Sequence, residues 1–533
     1  MSGSVPPLTV WAAISEQARI APDHPAIRTS DAVWSYGRFC EAAQSIASGL
    51  IGLGLSSGDR VLILGVNNAE TCLVWLACHR AGLTACFASR KATTRELAHA
   101  IQVLSPAVVV GARQQLDLVS EVLASIEGSG DTRLLPFGLE AGSVSVEDLL
   151  DSPITVIEEP QPQNVAEILF TSGTTSLPKA VIATNEALLN HWLAVSRHYL
   201  LGPDDVGYMV TPIHHQSALR HVGLISWLAG AEVFVADGFH PRHVWSDIAR
   251  YGVSYTCMLD AMFRILYSLP ETPQESGHRL RLVIGVGDHA LAELCERRYG
   301  FEVAEVYGST ETGAPITANL GMDPAEHARY RHAIPGARFC GWPLPGNEAW
   351  IRAADDMAAG ADGIGEIIVR STLASSGYLN GPAYGGDDPG DDAFRSSDRG
   401  IIGPDGALYF AGRSQEIIRR AGENISALEI EAVMNEHPDV VHVAVIGVPD
   451  AVRQEEVKAF VVASREDLEP AEIRSWLEKQ LSAHKLPRYI DLCPAFPLTE
   501  SGKIAKAELM RGNVETLRSF DAVEPTAQRS SSR

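Results

Sequence analysis

A large α/β domain followed by a small α+β domain is the architecture this 533-residue sequence predicts. Three observations carry it. The chain is too long for one hydrophobic core. Short apolar runs alternate with stretches of helical spacing, the pattern of parallel sheets covered by helices. Near Arg413 that texture changes, and the segments become shorter.

Residues 60–66 (RVLILGV) read as a buried strand, and residues 69–81 (AETCLVWLACHRA) as the helix after it. Residues 107–111 repeat the apolar run, with a helix-like stretch to Ile126 behind them. The strand pattern returns at residues 232–235, 282–285 and 303–307, while residues 128–131 and 158–163 are loops by composition. Beyond Arg413 come a strand at residues 416–419, a helix at 428–436, strands at 441–448 and 458–463, and a helix at 471–485. That makes a unit of about 100 residues, a normal size for a small domain. The expected domains are residues 1–413 and 414–512, with 513–533 a tail expected to be disordered. No internal repeat is found.

Hydrophobic residues at 46% and charged residues at 20% fit an ordinary globular chain. The formal charge of -23 disfavours nucleic acid and anionic membrane as partners, yet leaves room for an anionic cofactor in a local basic patch. The eight cysteines stand singly, without a C-x-x-C pair, which argues against structural zinc and fits a reducing compartment. The N-terminal stretch MSGSVPPLTV lacks the basic-then-apolar pattern of a secretory signal. No uncharged apolar run approaches the ~20 residues of a membrane span. A cytoplasmic protein is expected.

The chemistry starts at residues 171–181, TSGTTSLPKAV. Consecutive backbone N–H groups in a Gly/Ser/Thr loop form an anion-binding concavity, completed by hydroxyls and a lysine. Thr171, Ser172, Gly173, Thr174, Thr175 and Lys179 supply those parts between two apolar runs. A Ser/Thr/Gly cluster alone is more often a polar turn. The spacing is not G-x-x-x-x-G-K-[ST], so it is not the common nucleoside-triphosphatase loop.

AEILFTSGTTSLPKAV resembles the phosphate loop of the adenylate-forming superfamily, which holds acyl-CoA synthetases, adenylation domains and firefly-type luciferases. Residues 306–313 (VYGSTETG) resemble its Tyr-Gly-x-Thr-Glu signature, and residues 397–400 (SDRG) its ribose-binding aspartate segment. Residues 412–431 (GRSQEIIRRAGENISALEIE) resemble its hinge and carboxy-domain motif, and residues 497–506 (PLTESGKIAK) its terminal lysine loop. Five motifs in the family's order span most of the chain. Their wording is closest to carnitine/crotonobetaine-type and medium-to-long-chain acyl-CoA ligases. The fold implied is that of adenylate-forming enzymes, a large multi-sheet α/β domain with a mobile small lid.

This family makes a carboxylate into an acyl-adenylate with ATP, then transfers the acyl group to a thiol. Both steps gather negative charge near a reacting carboxyl, so positioning and electrostatics dominate. The resemblance implies that Thr171, Ser172, Gly173, Thr174, Thr175 and Lys179 hold the ATP phosphates. Thr310 would touch the α-phosphate, and Glu311 would hold Mg2+; the bland alternative for Glu311 is a solvated charge. Tyr307, in the motif with Gly308 and Ser309, would stack on adenine, and backbone around Gly287, Asp288, His289 and Ala290 would read its edge. Asp398 is acceptor-only and suits the ribose hydroxyls, which Arg413 would also reach. His214 and His215 adjoin in TPIHHQSALRH; the second matches the position that orients the carboxylate, and either could instead be a satisfied structural residue.

Lys503 would reach the carboxylate and α-phosphate during adenylation and leave with rotation of the small domain, which suits a flexible ammonium. The rotation would occur at the hinge, residues 414–416, where Gln415 stands for the usual Asp or Lys. Gly422 would let the pantetheine arm of CoA pass close to backbone. Arg419 and Arg420 could meet CoA phosphates, although two arginines on a strand edge are more often solvated.

Other departures are Ala180 where glycine is expected, and Asp260-Ala261 where a proline often lies in the acyl-pocket wall. Glycine at 180 would serve positive φ or close backbone approach, and a methyl harms both. One reading is slow adenylation, with thioester formation from a ready-made acyl-AMP dominant and a partner enzyme that could supply it. The other is an alanine that fits without strain. Amino-acid-activating relatives often place an aspartate just after the histidine motif; residues 216–223 hold none, which favours an apolar, bulky acid without a free α-amino group. An acyl-CoA ligase is the leading function. Its rivals are an adenylation enzyme loading a carrier protein, and a catalytically silent binding relative.

Overall fold

The computed structural model describes residues 9–522 except 127–130, 139–143, 172–177, 286, 353–362, 372–376, 381–392, 414–416, 421–422, 451–452, 482, 484 and 499–503. Two seven-stranded sheets organise the larger part. The first runs Gly377–Tyr378, Ala180–Thr184, Val165–Phe170, Thr84–Phe87, Arg60–Leu64, Val108–Gly111, Arg133–Pro136. The second runs Glu302–Ala304, Leu282–Ile284, Tyr255–Cys257, Val206–Met209, Glu232–Val235, Pro25–Arg28, Val33–Ser35. Both are mainly parallel, with antiparallel pairing at one edge.

Strand alternation explains the layering. In Arg60–Leu64, Val61 and Ile63 face a core shared by both sheets, while Leu62 and Leu64 face the opposite side. The shared core holds the helices Tyr36–Gly52, Ala69–Ala81 and Asn185–His198. Ala69–Ala81 is buried on every side except at Glu70, as expected of a helix between two sheets. It starts at Asn68, whose Oδ1 accepts from Thr71 N at 2.9 Å, and stops at Gly82, with φ 67°. The outer faces are covered by Thr94–Leu104 and Arg113–Ala124 on the first sheet, and by Val244–Tyr251, Asp260–Ser268 and His289–Tyr299 on the second.

A three-stranded and a five-stranded antiparallel sheet follow, the latter ending in Leu408–Arg413. Residues from Ile417 onward build a six-stranded sheet, with Ala427–Asn435 and Pro470–Leu477 packed on its own core.

Three details depart from the sequence pattern. Residues 303–307 form two strands in different sheets, Glu302–Ala304 and Val306–Tyr307. The break falls at Glu305, a buried carboxylate bonded to Arg331 Nε at 2.7 Å. The helix expected to reach residue 485 ends at Leu477, whose carbonyl accepts from both Gln480 N and Leu481 N. The tail expected from 513 begins too early, because Arg518–Asp521 pairs antiparallel with Tyr489–Leu492 and completes the small sheet. Arg488 fastens that strand through Asp521 at 3.1 Å.

Candidate functional site

The phosphate loop leaves the first sheet between antiparallel strands in which Phe170 pairs with Ala180. Thr171 N donates to Lys179 O at 3.0 Å and Lys179 N donates to Thr171 Oγ1 at 3.1 Å, closing the neck of the loop. Ser172, Gly173, Thr174 and Thr175 lie outside the described residues. Ala180 is not among the described residues with positive φ, and its methyl packs with Leu62, Leu97, Ile101 and Ile168. Positive φ, one of the two reasons for a glycine here, is therefore not required at this strand position.

Lys179 is exposed, with its Nζ 4.9 Å from the centre of the Tyr378 ring. The Tyr378 hydroxyl donates to Glu311 Oε1 at 3.3 Å. Tyr378 reaches this place because its edge strand pairs with the strand after the loop, Tyr378 opposite Val181. Burial, then the Glu311 carboxylate, push its hydroxyl above the ordinary phenol range, so it stays a donor. Sequence inspection missed Tyr378; the only signal was an aromatic residue in the turn-rich stretch SSGYLNG.

Thr310 and Glu311 stand in a turn closed by Ser309 and Thr312. Ser309 N donates to Thr312 Oγ1 at 2.8 Å, and Thr312 Oγ1 donates to Ser309 O at 3.1 Å. Gly308 is needed for packing, since a Cβ there would stand 2.7 Å from the Ala314 methyl.

Tyr307 and Asp398 come together with Arg413. The Tyr307 hydroxyl donates to Asp398 Oδ2 at 2.8 Å, and strand register sets Asp398 opposite Arg413. Ser397, at φ 59°, turns the strand just before Asp398. The Arg413 side chain lies outside the described atoms.

The adenine-reading segment joins strand Leu282–Ile284 to helix His289–Tyr299. Asp288 caps the helix, Oδ1 accepting from Leu291 N at 3.1 Å. Gly287 packs closely against Arg338, whose Nη1 would have to shift to admit a Cβ there. The His289 ring turns into the fold, with Nδ1 3.2 Å from Arg331 O and Nε2 3.3 Å from Phe339 O; burial and nearby Arg331 lower its pKa to about 4. Asp260 Oδ1 accepts from Gly287 N at 2.7 Å and from Asp288 N at 3.2 Å. It thus faces this segment, where the sequence suggested a place in the acyl-pocket wall.

His214 and His215 are both half-buried, with ring centres 4.1 Å apart. Burial, with Arg90 and Lys91 nearby, lowers the pKa of His214 to about 4. Asn67 pins this segment on both sides, donating to Thr211 O at 2.8 Å and accepting from Ile213 N at 2.9 Å. Behind it the chain forms a π-helix, Leu219–Leu224. Arg220 there reaches Glu167 on the strand that feeds the phosphate loop, at 2.9 Å, with both side chains buried.

In the small unit, Arg420 Nε pairs with Glu456 at 2.7 Å, and Glu456 also takes Arg453 at 2.7 Å. That redirects Arg420 from the CoA phosphates to the sheet. The Arg419 side chain, Gln415, Gly422 and Lys503 lie outside the described residues and atoms. Leu498 and Ile504 form an isolated antiparallel bridge.

An exposed lysine at the neck of a phosphate loop, a carboxylate in a glycine-rich turn and a Tyr–Asp pair beside an arginine define a nucleotide-binding fold with adenylate-forming architecture. The chain matches the model of AMP-binding enzymes over residues 14–379 and that of the AMP-binding enzyme C-terminal domain over residues 429–503. It belongs to the family of AMP-binding enzymes. It is 28% identical over 476 residues to a crotonobetaine/carnitine–CoA ligase of Shigella sonnei (strain Ss046), an alignment covering 86% of this chain and 89% of the relative. ATP-bound MatB from Rhodopseudomonas palustris shares the fold at TM-score 0.84 and 25% identity, covering 95% and 98% of the two chains. A benzoate CoA ligase from Burkholderia xenovorans LB400 shares the fold at TM-score 0.82 and 20% identity, covering 94% of this chain and 99% of its own. Among the described residues no helix is long and apolar enough to cross a membrane.

Proposed function

We propose that this protein is an AMP-forming acyl-CoA ligase that joins a carboxylic acid to CoA through an acyl-adenylate. The observation that supports this reading is the contact line Lys179–Tyr378–Glu311 together with the Tyr307–Asp398 hydrogen bond, Asp398 standing opposite Arg413 in the strand register. In the first step a carboxylate oxygen attacks the α-phosphorus of ATP and pyrophosphate leaves. Lys179 and the loop amides hold the outer phosphates, Thr310 the α-phosphate, and His215 the carboxylate. Lys503 arrives from the small unit. In the second step the CoA sulfur attacks the acyl carbon, AMP leaves, and Gly422 gives the pantetheine arm passage.

A single half-buried carboxylate beside a phosphate loop suits Mg2+, which takes one or two protein carboxylates and completes its shell with phosphate oxygens and water. Glu311 would hold it, and the ion would shield the triphosphate charge.

The proposed acid is apolar, with a bulky one allowed, and without a free α-amino group, because residues 216–223 (QSALRHVG) offer no carboxylate to bind one. Both half-reactions are proposed to run here, since Ala180 occupies an unstrained strand position, and an upstream adenylating partner is then unnecessary. A cytoplasmic setting is supported by eight cysteines that are all free and buried.

The test offers the purified protein a panel of carboxylic acids with ATP and CoA, reading acyl-AMP and acyl-CoA separately by mass spectrometry. Acyl-CoA released with CoA as the sole acceptor is expected. Acyl-AMP without acyl-CoA would point to carrier-protein loading, and neither product to a silent binding relative.

A further inference from the structure

We propose that the helix Asp260–Ser268 is a positioning element for this reaction: Asp260 sets the adenine-reading backbone, and Arg264, one turn later, registers the small unit against it. The inference rests on the reading that residues 287–290 meet adenine. Asp260 Oδ1 takes two successive amides, Gly287 N at 2.7 Å and Asp288 N at 3.2 Å. Loops that connect a strand to a helix carry unpaired N–H groups, and a carboxylate beneath them fixes which way the rest of the segment faces. Gly287 is further confined by Arg338, so this turn is held on two sides.

Arg264 continues the line outward. Its Nη2 donates to Asp288 Oδ2, and its Nη1 donates to Val441 O of the small unit at 3.0 Å. Asn435, at the end of helix Ala427–Asn435, donates to the same Asp288 Oδ2 at 3.3 Å. Asp288 thus caps its own helix with one oxygen and meets the small unit with the other. Next to Val441, His442 lies with its ring 6.2 Å from that of Phe496, just before the stretch that carries Lys503. One helix therefore touches both the backbone proposed to read adenine and the strand Val440–Asp450 of the small unit. Spacing explains the pairing, because residues four apart share a helix face.

The experiment measures AMP binding by calorimetry and the two half-reactions separately for Asp260→Ala, Asp260→Asn and Arg264→Gln. Asp260→Ala should weaken AMP about tenfold, and raise KM for ATP and for acyl-AMP alike, with KM for CoA unchanged. Asp260→Asn keeps an oxygen acceptor and should recover AMP affinity to within about threefold. Arg264→Gln should leave AMP affinity in place and shift the ratio of the two half-reaction rates by about threefold or more. Wild-type protein that binds no AMP would overturn the adenine reading. Wild-type binding with Asp260→Ala unchanged, or with Asp260→Asn as weak as alanine, would overturn the role of Asp260. If Asp260→Ala does not fold, the Asn and Arg264→Gln arms still decide.

Discussion

The stretch proposed to hold phosphate and the segment proposed to read adenine leave the two seven-stranded sheets in different ways, and they are held differently. The phosphate loop connects antiparallel neighbours, so the ladder itself closes its neck through Thr171 and Lys179. The segment proposed to read adenine leaves a parallel strand for a helix, and the ladder pairing described for that strand ends at Ile284. Beyond that point a side chain, Asp260, takes the amides of Gly287 and Asp288. A hairpin loop is braced by its own strands, whereas a strand-to-helix turn depends on a residue from elsewhere. This accounts for a ladder-paired residue at Ala180 and a carboxylate at position 260.

The comparison is most severely broken by removing the buried support under the phosphate-side strand. Glu167 is fully buried, and its carboxylate takes Arg220 and also Trp75 Nε1 at 2.8 Å. Glu167→Gln should cost about 3–5 kcal/mol by leaving the Arg220 charge unpaired. Urea unfolding measures this, and a loss below about 1 kcal/mol would show that the ladder alone braces the strand. Burial opposes the charge, but Arg220 and His79 outweigh it and lower the Glu167 pKa to about 2. A depressed carboxylate contributes stability that is present above its unfolded pKa and lost as pH falls through the folded value. The contribution should therefore be intact at neutral pH and fade on acidification below the ordinary carboxylate range toward about pH 2.

The lysine proposed to serve adenylation, Lys503, belongs to neither segment. Lys503→Ala should slow acyl-AMP formation by about 10²–10³-fold, the scale of losing one preorganised charge stabiliser. CoA transfer from supplied acyl-AMP should be spared; equal losses in a folded variant would remove Lys503 from the adenylation step.

Tyr378→Phe sharpens the phosphate side. The ring beneath Lys179 remains, and only the hydroxyl to Glu311 is lost. About tenfold slower adenylation is expected, with Mg2+ dependence moved to higher concentration. An unchanged Mg2+ titration would separate Tyr378 from Glu311.

Ala180→Gly should do least. Adenylation should stay within about twofold of wild type, while stability falls by about 0.5–1 kcal/mol because glycine loosens a strand. A large gain in the first half-reaction would restore the idea that the methyl crowds the loop.

By itself the sequence determined the alternation of strands and helices, the chain order of the motifs and the candidate groups proposed for phosphate, ribose and metal. These are local properties: periodicity and motif spacing act over a few residues, and residues 69–81 were legible as a helix from them. Only the tertiary structure decided which distant groups meet. Tyr378 joins Glu311 across 67 residues, and Asp260 joins Gly287 across 27. The same applies to Arg420, turned into the sheet by Glu456, to the break at Glu305, and to Arg518–Asp521, which looks like a polar tail until Tyr489–Leu492 offers an edge. A charge or a short polar strand has no fixed partner along the chain. Its role is settled when folding brings up the one group that satisfies it, since burial without that partner is costly.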